Sequence, residues 1–177
     1  ATAGPFEVLL PYIIRNDLGG GAATYGTVLA FGGLGSMVAA VLLSRRGLPR
    51  RNVTVMWVAW SIGVVLDIGF AIAGAAWQMC IVAIFSFGLG TVGLIIWNTI
   101  VTTLVPAEML GRVSSFDWFV SIGLTPVSFA ITGPIAELLG ARTTLALAGA
   151  LGLTTFAFLF LPGMRDPERE LAGEPAR

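Results

Sequence analysis

Two carboxylates lie where carboxylates are expensive. Glu7 falls in the apolar run that opens the chain, and Asp67 stands two-thirds along a later one. A charge at the middle of a bilayer costs about 2.5–3.5 kcal/mol on insertion scales, so it normally has a partner or a task. Protonation removes the charge and most of that cost, which is the chemistry of a proton carrier in coupled transport. Glu7 and Asp67 are therefore the proton-coupling candidates. The plainer account is a carboxylate near the outer interface, bonded to Ser, Thr or water.

Polar residues recur at helical spacing. Asp117, Ser121, Thr125, Ser128 and Thr132 follow one another at intervals of three and four, and so occupy one face of a helix that Pro126 would bend. Thr91, Asn98 and Thr102, seven and four apart, make a second stripe. Asn98 is the most informative of these, because a primary amide needs partners in a dry environment. Such stripes face either a neighbouring helix or water in a cavity. The alternative is that each hydroxyl bonds back to a carbonyl of its own helix. On the cavity reading, Glu7, Thr91, Asn98, Thr125 and Ser128 line a substrate site.

Other chemistries find little support. The chain has no His, and its one Cys, Cys80, sits in an apolar run. The commonest metal ligand and proton shuttle are thus missing, and neither a disulfide framework nor a thiolate cluster can form. No phosphate-cradling loop, nucleophile elbow or haem motif is present. An enzyme is not expected, and neither cofactor nor metal is called for. A net charge of zero gives no general electrostatic case for a nucleic-acid partner.

The elements that would position these residues are membrane spans. The 177 residues are 56% hydrophobic and 11% charged, with a mean hydropathy of +0.88. A soluble chain carries about 25% charged residues, so most of this surface must face lipid. A short apolar run, Ala1 to Ile14, precedes five long ones: Ala22 to Leu43, Val53 to Ala73, Trp77 to Val105, Trp118 to Leu139 and Thr143 to Leu161. At about 1.5 Å per residue the first is too short for a core of about 30 Å, and each of the others is long enough. The breaks hold the charges and turn formers: 15–21, 45–52, 74–76, 106–112 and 140–142. The alternating pattern of a membrane β-barrel is absent. Gly32, Ser36 and Ala40, with Gly35 and Ala39 beside them, make a small-residue ridge for close helix packing, and Gly88, Gly90 and Gly93 do the same in the fourth run.

If six spans alternate, Arg45, Arg46, Arg50, Arg51, Arg112, Arg165, Arg169 and Arg177 share one side, and Arg15 and Arg142 fall on the other. The positive-inside rule places the larger group, and the C-terminus, in the cytoplasm. Trp57 and Trp118 then lie near cytoplasmic ends, and Tyr12, Tyr25 and Trp77 near outer ends. Residues 1–162 are expected to form the six-helix bundle and 163–177 a solvated, flexible tail. The chain opens inside an apolar stretch without an initiator Met, which reads as a fragment whose upstream part is missing.

Two loops carry a resemblance. The stretch Ser44-Arg45-Arg46-Gly47-Leu48-Pro49-Arg50-Arg51, after the glycine-bearing second run, resembles the second-half copy of the Asp-Arg-x-Gly-Arg-Arg loop motif of the major facilitator superfamily, with Ser44 where the motif has Asp and the Arg pair displaced. Pro106-Ala107-Glu108-Met109-Leu110-Gly111-Arg112-Val113-Ser114-Ser115 is similar to the loop between that superfamily's tenth and eleventh helices, in wording common to its siderophore- and drug-exporting branch. Gly133-Pro134 echoes the antiporter motif, at a position related to the motif's usual helix by pseudo-symmetry.

The resemblance covers essentially the whole chain, as helices seven (truncated) to twelve. It implies an all-α polytopic bundle built of two inverted three-helix repeats, with runs one, two, four and five around a central cavity and Asp67 peripheral. It also implies that Arg45, Arg46, Arg50, Arg51 and Arg112 form a cytoplasmic gate and anchor region. The expected function is secondary active transport in a bacterial inner membrane, by proton-coupled efflux of a small amphipathic drug or siderophore. The expected partners are the lipid bilayer, the substrate, protons and a missing N-terminal six-helix half. A nutrient importer of the same superfamily and a non-transporting membrane assembly or sensor protein are the alternatives.

Overall fold

The computed structural model describes residues 3–47, 49 and 51–154. Within them the chain is helical, without strands, in eight segments. These are α1 (Ala3–Asn16), α2 (Ala22–Arg46), α3 (Asn52–Leu66), α4 (Ile68–Ile72), α5 (Ala76–Leu104), α6 (Ala107–Gly123), α7 (Thr125–Leu139) and α8 (Ala141–Leu151). Arg50, residues 155–161 of the expected sixth span and the tail from 163 lie outside the described residues.

Among the described residues four stretches are long and apolar enough to cross a membrane: Ala22–Arg46, Asn52–Ile72, Ala76–Leu104 and Ala107–Leu139. Between 11% and 39% of each hydrophobic window is buried within the protein, so most of their apolar side chains point outward. Leu138, Ile72 and Phe119 are among these. In water such a surface would aggregate; in a bilayer it faces its matching solvent.

The expected boundaries need three corrections. The third run is not one uninterrupted helix. It breaks at Asp67, whose N–H is shared between the carbonyls of Gly63 and Val64 at 3.2 Å each, and the chain restarts as the short α4. Ala73, expected inside the run, is extended. The segment 107–112, expected as a loop, is the opening of α6. Pro106, which has no N–H to donate and a fixed φ, stands immediately before the first helical turn, and Glu108 in that turn complements the positive end of the helix dipole. The fifth run also divides, at Leu124, two residues before Pro126. Pro126 cannot donate to the carbonyl of Ile122 and its ring crowds that carbonyl, so a continuous α-helix is interrupted there.

α5 is the centre of one packing group, with α2 and α3 both laid against it. α1 packs on α7 and α8, and α4 on α8. The buried core joins Leu9, Leu10, Ile13 and Ile14 of α1 to Phe70, Met79, Ala83 and Leu145. Phe6 bridges the groups, meeting Phe70 and Phe87 edge-on with ring centres 5.1 and 5.8 Å away. The small-residue ridge performs the expected packing: Phe87 lies over Gly32, the Ile84 backbone lies against Gly35, and Ser36 donates to the Phe87 carbonyl at 3.3 Å.

Candidate functional site

Asp67 sits at the α3–α4 break, half-buried against α5. Ser86 of α5 donates its hydroxyl to Asp67 Oδ1 at 2.5 Å, with the Gly63 carbonyl a second acceptor at 3.3 Å. Sequence reasoning passed over Ser86, since a single hydroxyl inside an otherwise apolar run forms no stripe. A second carboxylate contact joins neighbouring helices: Trp97 Nε1 donates to Asp117 Oδ2 at 3.3 Å.

Three hydroxyls of the stripes bond back to their own helices. Thr102 donates to the Asn98 carbonyl at 2.8 Å, Thr125 to the Ser121 carbonyl at 3.3 Å and Thr132 to the Ser128 carbonyl at 2.7 Å. This satisfies each group locally and requires no cavity.

The five residues expected to line a substrate site belong to α1, α5 and α7. Ser128 is buried where α7 meets α1, with its hydroxyl and backbone against Gly4 so closely that no Cβ would fit there. Glu7 lies three residues further along α1, exposed. Thr125 is one turn before Ser128 and half-buried. Thr91 and Asn98 belong to α5, and the two large grooves described along the α2–α5 seam contain none of the five. Asn98 is exposed; its Nδ2 donates to the Leu94 carbonyl at 2.9 Å. Its amide oxygen has no partner among the described residues.

The end of the bundle holding the breaks at 15–21 and 140–142 carries a guanidinium clamp. Arg142 Nε donates to Asp17 Oδ2 at 2.6 Å, and one terminal nitrogen donates to the carbonyls of Ala71 and Ala73 at 2.9 and 2.8 Å. One side chain thus ties the α1–α2 turn and the end of α4 to the start of α8. The sequence marked Arg142 only as a sign of sidedness. Arg45, Arg46, Arg51 and Arg112 are exposed, and Gly47 closes α2 with φ 71°, a backbone conformation open to glycine at no steric cost. Pro106, Glu108 and Gly111 lie on or beside the first turns of α6, exposed. Among the described residues no group of three His, Cys, Asp or Glu is placed to hold a metal.

No curated protein matches this chain, and no solved structure does. The sequence profile of one family, described as transmembrane secretion effector, matches residues 1–173. With its apolar helices and nearly complete coverage by that profile, the chain belongs to the transmembrane secretion effector family and is a membrane-embedded transporter of the major facilitator type.

Proposed function

We propose that this chain is the C-terminal six-helix half of a proton-coupled exporter of small amphipathic compounds, drugs or siderophores, in a bacterial inner membrane. It rocks against an N-terminal half around a midplane site, with the C-terminus cytoplasmic. Glu7, Thr91, Asn98, Thr125 and Ser128 contribute to that site, and Glu7 and Asp67 are the candidates for carrying protons.

The observation that carries the reading is Asn98. It is a primary amide on an exposed face of a membrane-spanning helix, with its oxygen unpaired among the described residues. Facing hydrocarbon, that oxygen would incur a desolvation cost of roughly 1–3 kcal/mol with nothing to offset it. A face turned toward a water-filled cavity avoids the cost.

The helix pairing supports the two inverted repeats. Exchanging the first three spans with the last three turns the α2–α5 contact into α7–α1 and the α3–α5 contact into α8–α1, and leaves α4–α8 in place; all of these contacts occur, while the α7–α8 contact has little counterpart between α2 and α3. This is the pairing expected when two three-helix units are related by an axis in the membrane plane.

The test is transport by the full-length protein in inverted vesicles energised by a proton gradient, with dyes and siderophores as substrates. Discharge of the gradient on adding substrate is expected, with loss of discharge in Glu7→Gln and at least a tenfold weakening in Asn98→Ala. Substrate uptake into intact cells, without discharge in vesicles, would reverse the direction to import. Silence in both assays would remove the transport reading.

A further inference from the structure

α2 and α3 both pack on α5 but make little contact with each other. A groove of about 690 Å³ therefore runs between them, with α5 as its floor. Leu34, Val38 and Leu42 of α2 face Val55 of α3 across it, and Phe85 lies beneath. Among the described residues its only charged lining residue is Arg46, at one end.

The dimensions and the placement of charge define an occupant. Leu34 to Arg46 covers about 18 Å of helix at ~1.5 Å per residue. That is about the depth of one leaflet of a ~30 Å hydrocarbon core together with the start of its headgroup layer. Arg46 ends a membrane-spanning helix, so its guanidinium lies where lipid phosphates lie. Arg45 and Arg51 stand exposed nearby in sequence. Among the described residues the one ion pair is Arg142 with Asp17, so none of their carboxylates pairs with this basic end. A guanidinium binds phosphate through paired, charge-assisted N–H donors, and basic residues at a membrane surface attract anionic lipids. A second groove on the same seam, of about 630 Å³ beside Thr24, Thr27 and Trp77, has no charged residue in its lining among the described residues and provides an internal comparison.

We propose that the groove between α2 and α3 is a binding site for an anionic phospholipid, with one acyl chain lying over α5 and the phosphate on Arg46. The groove contains none of the five residues proposed for the substrate site, and its test requires no turnover. Full-length protein is reconstituted with equal amounts of phosphatidylglycerol and phosphatidylcholine, released into mild detergent, and weighed intact by native mass spectrometry. Phosphatidylglycerol should be retained over phosphatidylcholine by roughly tenfold, the factor that about 1.4 kcal/mol supplies. Arg46→Gln should abolish that preference. Val38→Trp fills the groove from a side chain that is already 53% exposed, so it should remove retention of both lipids without unfolding the protein. Arg112→Gln, an exposed basic site on α6 outside the groove, should leave retention unchanged. The proposal is overturned by equal retention of the two lipids in the unsubstituted protein. It is equally overturned by retention that survives both Arg46→Gln and Val38→Trp, or by a loss in Arg112→Gln as large as that in Arg46→Gln.

Discussion

Ser86 has one hydroxyl proton and two acceptors within reach, Asp67 Oδ1 at 2.5 Å and the Gly63 carbonyl at 3.3 Å. The nearer acceptor takes the proton, so the serine serves the carboxylate first. Removing the hydroxyl leaves a half-buried carboxylate without that donor, a loss of about 1–3 kcal/mol. Ser86→Ala should therefore lower the unfolding midpoint in detergent clearly. Asp67→Asn retains an acceptor oxygen of similar shape and should cost less. The double variant should cost less than the two single losses added, because most of the Ser86→Ala penalty is an orphaned charge, and Asp67→Asn removes that charge. Strict additivity in a denaturant or thermal series would show that the two side chains are not coupled.

At the scale of helices, the closest approach is between α2 and α5. A Cβ at Gly35 would collide with the Ile84 carbonyl, which is backbone and cannot move aside alone, whereas a Cβ at Gly33 would meet nothing within 4 Å. Gly35→Val should push the helices apart and cost roughly 1–3 kcal/mol, the usual range for overpacking. Gly33→Ala, two residues away, should be neutral or slightly stabilising. Similar losses at both positions in an unfolding series would contradict the packing described. The ridge that makes this contact was legible in the sequence, because small residues at spacings of three and four lie on one face of a helix. The long apolar runs were legible for the same kind of reason: a bilayer imposes length and composition on each span separately. What the sequence left unread was set by local backbone chemistry or by distant contacts. Hydropathy alone placed Pro106 to Arg112 in a loop because the segment is polar, yet a proline that begins a helix and an acidic residue in its first turn make it helical. The interruption at Asp67 has no Pro or Gly at that position to announce it. The Ser86 contact joins residues 19 apart on different helices, and no periodicity within one run can report such a pair.

Across the whole molecule, Arg142 gathers one end of the bundle. Its contact with Asp17 is about a third exposed on both sides, so the ion pair by itself contributes at most about 1 kcal/mol. The two carbonyls at the end of α4 depend on the same guanidinium. Asp17→Asn should therefore be mild, and Arg142→Ala should cost more than Asp17→Asn by about 1–3 kcal/mol. If the two variants unfold together, the carbonyl contacts contribute nothing. The clamp also fixes relative sidedness. It ties residues near 17 and 142 to one face, while α2, 25 residues long and thus about 37 Å at ~1.5 Å per residue, carries the chain to the opposite face by Arg46. The arginine-rich end then belongs in the cytoplasm if the positive-inside rule governs. Single cysteines report this directly, since Cys80 is buried within a span and adds little background. In intact cells a membrane-impermeant maleimide should label Asn16→Cys and Leu139→Cys, both at exposed positions beside the clamp. Ser44→Cys and Ala107→Cys, exposed at the other end, should react only after the membrane is opened. The reverse pattern would keep the bundle and invert its orientation. Labelling that separates Asn16→Cys from Leu139→Cys would place a membrane between two segments that Arg142 holds together, and would remove the clamp and the helix arrangement built on it.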